Sequence, residues 1–213
     1  MAGIEWAVEG PDYSPAPPKG AAVLLGSDGI AGWKHQGNGR DAEWSFESGV
    51  MEVTRSGNLV TREEYGGDFL LHVEFKPPVT PETNGWQARG NSGVYVQGKY
   101  EVQVLDSYGL ELRMGDCGAI YGKHIPVTNA SKPAGQWQTY DIEFTSPRVD
   151  AEGKKTAHAR MTVWHNGVKI HDDVEVNGTT AAGMGGPERG LGPLMLQDHG
   201  HPVQYRNIWL LPR

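Results

Sequence analysis

Few side chains in this 213-residue sequence sit in patterns that could do chemistry, and the most informative run is Tyr100-Glu101-Val102-Gln103-Val104-Leu105-Asp106. Read with a period of two, it turns Glu101 and Gln103 to one face and Tyr100, Val102 and Val104 to the other. An apolar face packed between sheets leaves the polar face free to meet a ligand. Residues 68–76 alternate in the same way, with Phe69, Leu71, Val73 and Phe75 on one side and His72, Glu74 and Lys76 on the other. Glu74 and His72 are therefore expected as companions of Glu101. Carboxylates side by side suit acid/base work on a sugar, because burial or a neighbouring like charge raises the pKa of one of them. The competing reading is a solvated strand face.

A second constellation, Gln197-Asp198-His199-Gly200-His201, follows the apolar run PLMLQ. Two imidazoles and a carboxylate suit a divalent cation, although the spacing matches no strong ligand signature. Capping of a strand end and contact with a substrate are the alternatives. A third, residues 118–124 (GAIYGKH), places Tyr121, Lys123 and His124 in the longest loop, where Lys and His could donate protons or polarise a carbonyl. Arg206, among apolar neighbours, calls for a carboxylate partner. Trp86 lies in a Pro/Gly loop, where an aromatic plate can stack on a sugar ring, whereas Trp44, Trp137, Trp164 and Trp209 lie in strand patterns and read as core. Gly-x-Ser-x-Gly, Walker, dinucleotide-binding and His-Glu-x-x-His motifs are absent. Cys117, with His124 nearby, is weak support for a thiolate nucleophile.

The elements that must carry these residues are strands. Runs at 22–25, 50–53, 58–61, 68–76, 93–97, 100–105, 137–145, 159–165, 168–171, 193–197 and 203–211 read as strands, and no useful window has a helical period. Gly98-Lys99 is the glycine-first pair of a type II′ hairpin, and Asn166-Gly167 signals a type I′ turn. About a dozen short strands predict an all-β sandwich or barrel. Three long connections, 77–90, 107–136 and 177–191, are candidates for functional loops.

Composition narrows the partners. Glycine, at 30 residues, is about twice its ordinary share of roughly 7%, and much of it falls in the long loops. The net charge of −7 and the absence of any Lys/Arg run disfavour nucleic acid. No run approaches 18 consecutive apolar residues, so no transmembrane helix is expected. The Pro-rich start reads as a tail over residues 1–20, followed by one domain over 21–213. Oligomeric state leaves no signal in the sequence.

Six motifs in order, NSGVYV (91–96), YEVQVLD (100–106), GAIYG (118–122), KPAGQWQ (132–138), LQDHG (196–200) and YRNI (205–208), resemble the 3-keto-disaccharide hydrolase family over residues 23–211. The resemblance implies a concanavalin A-like jelly-roll β-sandwich of two antiparallel sheets, related to endo-β-glucanases. It implies an exported bacterial protein, periplasmic, secreted or lipoprotein-anchored, with its native signal removed. The implied substrate is a small sugar, a glycoside oxidised to a ketone at C3. That ketone acidifies the C2 hydrogen, so a base can start a β-elimination that expels the C1 aglycone before water adds back. The scheme needs a base, a stabiliser for the C3 enolate and an acid for the leaving oxygen, not the matched carboxylates of ordinary glycosidases. Gln103 standing where a second acid would be fits that difference. The expected catalytic set is Glu101, His199 and Lys123. Glu74, Gln103, Tyr121, His124, Gln197, Arg206 and Trp86 are expected to contact the substrate, with Lys123, His124 or Arg206 stabilising the oxyanion. No cofactor is demanded; should a divalent metal ion take part, Glu101, Glu74 and His199 are its candidate ligands. The alternative is a non-catalytic, lectin-like carbohydrate-binding module, or an interaction domain of a larger partner.

Overall fold

A computed structural model describes residues 14–81 and 86–213; most of the expected tail and part of the first long loop lie outside these residues. Among the described residues the chain forms seventeen strands and one single-turn 3₁₀ helix, Trp86–Ala88. The strands are β1 (Ala22–Leu25), β2 (Trp33–His35), β3 (Ser45–Glu47), β4 (Val50–Glu52), β5 (Leu59–Thr61), β6 (Tyr65–Gly66), β7 (Phe69–Lys76), β8 (Ser92–Val96) and β9 (Tyr100–Val104). They continue with β10 (Gln138–Thr145), β11 (Arg148–Val149), β12 (Lys155–Ala157), β13 (Ala159–His165), β14 (Val168–Val176), β15 (Leu191–Gly192), β16 (Met195–Leu196) and β17 (Gln204–Pro212). No helix among the described residues is long and apolar enough to cross a membrane.

The strands form a concanavalin A-like jelly-roll sandwich. One sheet runs β14-β13-β10-β7-β17-β4-β3, with β1 also paired to β17; the other runs β2-β5-β16-β8-β9. Alternation decides what faces inward. Phe69, Leu71, Val73 and Phe75 of β7 meet Val94, Val96, Tyr100, Val102 and Val104 of β8 and β9 in one core. Burying each such side chain contributes roughly 1.5–3 kcal/mol, so this pairing of faces fixes which residues are left to point outward. Glu101 and Gln103 therefore lie on the outer face of the five-stranded sheet. His72 and Glu74 lie on the outer face of the eight-stranded sheet, the other side of the sandwich.

Two local details differ from the sequence reading. The hairpin between β8 and β9 has positive φ at Gln97 (51°) and Gly98 (66°), so its turn is centred one residue earlier than Gly98-Lys99 and is of the primed type I. The Asn166-Gly167 turn, with φ of 51° and 77°, is as read. In β17 the register slips, with Arg206 opposite Glu74 and Trp209 opposite His72. The extra residue is absorbed at Asn207, whose φ is 44°. This bulge puts Arg206 and Trp209, of opposite parity in the sequence, on the same outer face.

Candidate functional site

β9 is an edge strand, and its open edge is covered by loops that also wall the site. Gly118 N donates to Gln103 O (3.0 Å), Gln103 N to Ala119 O (2.9 Å) and Tyr121 N to Glu101 O (3.1 Å). The Thr180 hydroxyl accepts from Glu101 N (3.0 Å) and donates to Lys99 O (2.9 Å), docking the glycine-rich loop on the same strand. Lys99 Nζ holds that loop by donating to the carbonyls of Met184, Gly185 and Gly186 at 2.9, 3.0 and 3.1 Å. The result is a cavity of about 150 Å³ above β8 and β9, with Glu101, Gln103, Tyr95, Tyr121, Gln197 and His199 among its lining.

Glu101 supplies the one carboxyl among the described lining residues of this cavity. Burial raises its carboxyl pKa to about 8, with the Tyr95 hydroxyl opposing that shift. Tyr95 faces Glu101 across the hairpin, and it accepts a hydrogen bond from Gln197 Nε2 at 3.0 Å. Space for the carboxylate exists because residue 93 is glycine: a Cβ there would lie 2.5 Å from Glu101 Oε1 and 2.8 Å from the Tyr95 ring. His199 stands exposed at the mouth and stacks on His201, with ring centroids 6.1 Å apart. Asp198 instead braces the turn, accepting from Gly57 N and Gly200 N at 2.8 and 2.9 Å. Trp86, expected to contact the substrate, is not among the lining residues; it is 37% exposed, with its Nε1 donating to Asp116. A Cβ at Gly115 would come within about 3.1 Å of both Trp86 and Tyr121, so the two rings flank this backbone.

A family model of the 3-keto-alpha-glucoside-1,2-lyase-like domain matches residues 20–211. The chain belongs to this family. A crystal structure of a protein from Parabacteroides distasonis ATCC 8503, named as a candidate glycosyl hydrolase, is similar at 35% identity and a TM-score of 0.81, covering 94% of each chain. Two more structures under that description from the same organism share the fold, at 20% identity and TM-score 0.66 (91% of this chain, 94% of that one) and 21% and 0.62 (91% and 99%). No curated protein matches the chain.

In this 3-keto-alpha-glucoside-1,2-lyase-like chain several expected site residues are placed elsewhere. Glu74 is not a companion of Glu101. It is bound by Arg206 Nε (2.6 Å) and Asn207 Nδ2 (2.8 Å), and by the Ser14 hydroxyl, on the opposite face of the sandwich. His72 sits between Asp141 (Nδ1 to Oδ1, 2.6 Å) and Glu74 (Nε2 to Oε1, 3.5 Å), stacked on Trp209 at 4.9 Å. Arg206 therefore has its carboxylate partner, lies 4.1 Å above the Trp137 ring, and is no part of the cavity. Lys123 Nζ donates to Asn177 O at 2.6 Å and His124 Nε2 to Glu175 O at 2.8 Å, and neither lines the cavity. Their loop contributes Tyr121 instead. Trp137 and Trp164 are half-buried plates under Lys76 and Lys169 rather than core. Cys117 is buried against Tyr140, and burial pushes its thiol pKa up, which disfavours a nucleophile.

The candidate metal set divides in the same way. Glu101 and His199 share the cavity, but Glu74 cannot join them around one ion. Among the described residues no three His, Cys, Asp or Glu side chains form a group able to hold a metal. Of the lining residues not singled out, Gln87, Ala181 and Ala182 carried no sequence signal of their own, whereas Asn91 opens the NSGVYV motif. Gln87 does lie in the long connection 77–90, beside Trp86, that the sequence marks as a candidate functional loop. Tyr95 is set against Glu101 by a hairpin register one residue off from the pairing that a Gly98-Lys99 turn would give, so the sequence reading missed it.

Proposed function

We propose that this protein cleaves the glycosidic bond of 3-keto-glycosides by elimination across C1 and C2, followed by hydration. Its place in the 3-keto-alpha-glucoside-1,2-lyase-like family supports a carbohydrate-active enzyme. The observation that carries the reaction is Glu101, a carboxyl whose pKa of about 8 and position in a cavity of about 150 Å³ suit proton transfer to and from a carbon acid at neutral pH. Ionised Glu101 takes the C2 proton, the electron pair forms the C1–C2 double bond, and the C1–O bond breaks. His199, at the mouth, supplies the proton that the departing aglycone oxygen needs. Water then adds at C1 and returns a proton to C2, so the sum is hydrolysis. Among the described residues no Lys or Arg lines the cavity to face the C3 enolate; the donors on its wall, the Gln197 amide and the Tyr121 hydroxyl, take that role.

The test is release of 4-nitrophenol from 4-nitrophenyl 3-keto-α-glucopyranoside, run beside the parent glucoside with its C3 hydroxyl intact. Release from the keto sugar alone, with the sugar product carrying solvent deuterium at C2, supports the reaction. Equal release from both would contradict it, and binding of both without release would mark a lectin-like module.

A further inference from the structure

Beside Glu101, the cavity lining includes three amides, Gln87, Asn91 and Gln103, whose orientations determine one another. Gln87 Nε2 donates to Gly115 O at 3.0 Å. A carbonyl can only accept, so this contact fixes Gln87 Oε1 on the side facing the cavity wall. There it accepts from Asn91 Nδ2 at 2.9 Å and from Gln103 Nε2 at 3.3 Å. Asn91 Nδ2 also donates to the Gln87 carbonyl at 2.9 Å, so its nitrogen is committed twice. The oxygen ends are what remain. Asn91 Oδ1 and Gln103 Oε1 are buried without a partner, and both residues are 1% exposed and line the Glu101 cavity. A buried acceptor with no donor is costly, and such groups in a native structure point to something that completes them.

We infer that Asn91 Oδ1 and Gln103 Oε1 are a paired reader of two hydroxyl donors on one sugar ring, with Gln87 the positioning residue that fixes both as acceptors. This rests on the proposed sugar substrate and adds to it the polarity the site demands: a ligand must bring donors to the Asn91 and Gln103 oxygens. The two neutral acceptors also hold the ring without placing a second negative charge beside Glu101. A site that hydrogen-bonds a hydroxyl discriminates strongly against the analogue lacking it, because the protein's own buried group is then left unpaired.

Calorimetry on the full chain carrying Glu101→Gln, which suppresses turnover, compares methyl 3-keto-α-glucopyranoside with its 2-, 4- and 6-deoxy forms, and methyl α-glucopyranoside with the same series. Two of the deoxy positions are expected to weaken binding by roughly 10- to 100-fold. Adding Gln87→Met, which removes the polarity but little of the volume, is expected to shrink both penalties together. A merely structural role for Gln87 would weaken every sugar equally and leave the penalties intact, which would overturn its assignment. Should that variant not fold, the deoxy series on the Gln87 protein decides alone: affinities within twofold of the parent at all three positions, or no sugar binding at all, overturn the inference. Cleavage by the wild type with no deoxy penalty would keep the proposed reaction and remove this reader. Penalties without cleavage would do the reverse.

Discussion

Glu101 and Glu74 are both glutamates on alternating strands, both essentially removed from solvent, and they are held in opposite states. Glu101 is 2% exposed and, among the described residues, no cation pairs with it; burial therefore dominates, and its pKa rises to about 8. For Glu74, burial would act in the same direction, but hydrogen bonds from His72, Ser14, Asn207 and Arg206 outweigh it and hold the carboxyl at about 2. Two carboxylates likewise reverse the effect of burial on His72, whose pKa rises to about 9 through Asp141 and Glu74. Depth alone thus says little about a carboxylate's role. A paired one is a fixed charge, while an unpaired one beside open space exchanges its proton near neutral pH.

The largest expected effect is the activity difference between the two. Glu101→Gln should lower kcat/KM for a 3-keto-glycoside by about 10²–10⁴-fold, the range for loss of a general base. Glu74→Gln should leave kcat/KM near that of the wild type while costing about 3 kcal/mol in urea unfolding, because His72 and Arg206 lose a buried partner. Reversed outcomes would move the reaction to the other face.

Glycine 93 sharpens the comparison next. Gly93→Ala pushes a methyl into the space of Glu101 Oε1, and a displacement on the order of 1 Å at a reacting group can cost about 10²-fold. Steady-state kinetics at unchanged secondary structure checks it; activity within a few-fold of wild type would mean that Glu101 has room to spare.

Stability against pH should separate the two glutamates as well. Glu101 is ionised above pH 4.5 in the unfolded chain but keeps its proton to about 8 in the native one. The native state therefore binds more protons between those values, and stability falls as pH rises through that window. Glu101→Gln should relieve a few kcal/mol at pH 8, at roughly 1.4 kcal/mol per unit, and almost nothing below pH 4.5. Glu74 has the opposite sign: its contribution is complete above pH 4.5 and is lost as pH falls toward 2. His72 adds stability below pH 6.5 that is lost as pH rises through 9. Urea midpoints across pH for the two Gln variants test both signs. The smallest effect belongs to Lys99→Met, which frees the glycine-rich loop from its ammonium anchor and should raise KM several-fold with kcat little changed.

Most of the frame was legible in the sequence, because a period of two in β7, β8, β9, β10 and β13 gives strands and tells inner from outer face. Glu101 and Gln103 were legible for the same reason. What alternation cannot show is which sheet a strand joins. Glu74 and Glu101 have the same local pattern, and only the strand order, β7 between β10 and β17 against β9 beside β8, sends them to opposite sides. The bulge at Asn207 is likewise silent in a periodic reading, although it is what turns Arg206 toward Glu74. Lys123 and His124 were attractive by type alone; in a loop, spacing says nothing about direction, and it is Tyr121 that reaches the cavity. The short strands β2, β3, β6, β11, β12 and β15 have two or three residues each, too few for a period to register.

Titration of the Glu101 carboxyl, followed by NMR of side-chain ¹³C-labelled glutamate with Glu101→Gln to assign the resonance, tests the central claim most directly. A midpoint near pH 8, with the Glu74 resonance unchanged down to about pH 3, is the expected result. A Glu101 midpoint at an ordinary carboxylate value near 4.5 would contradict the account.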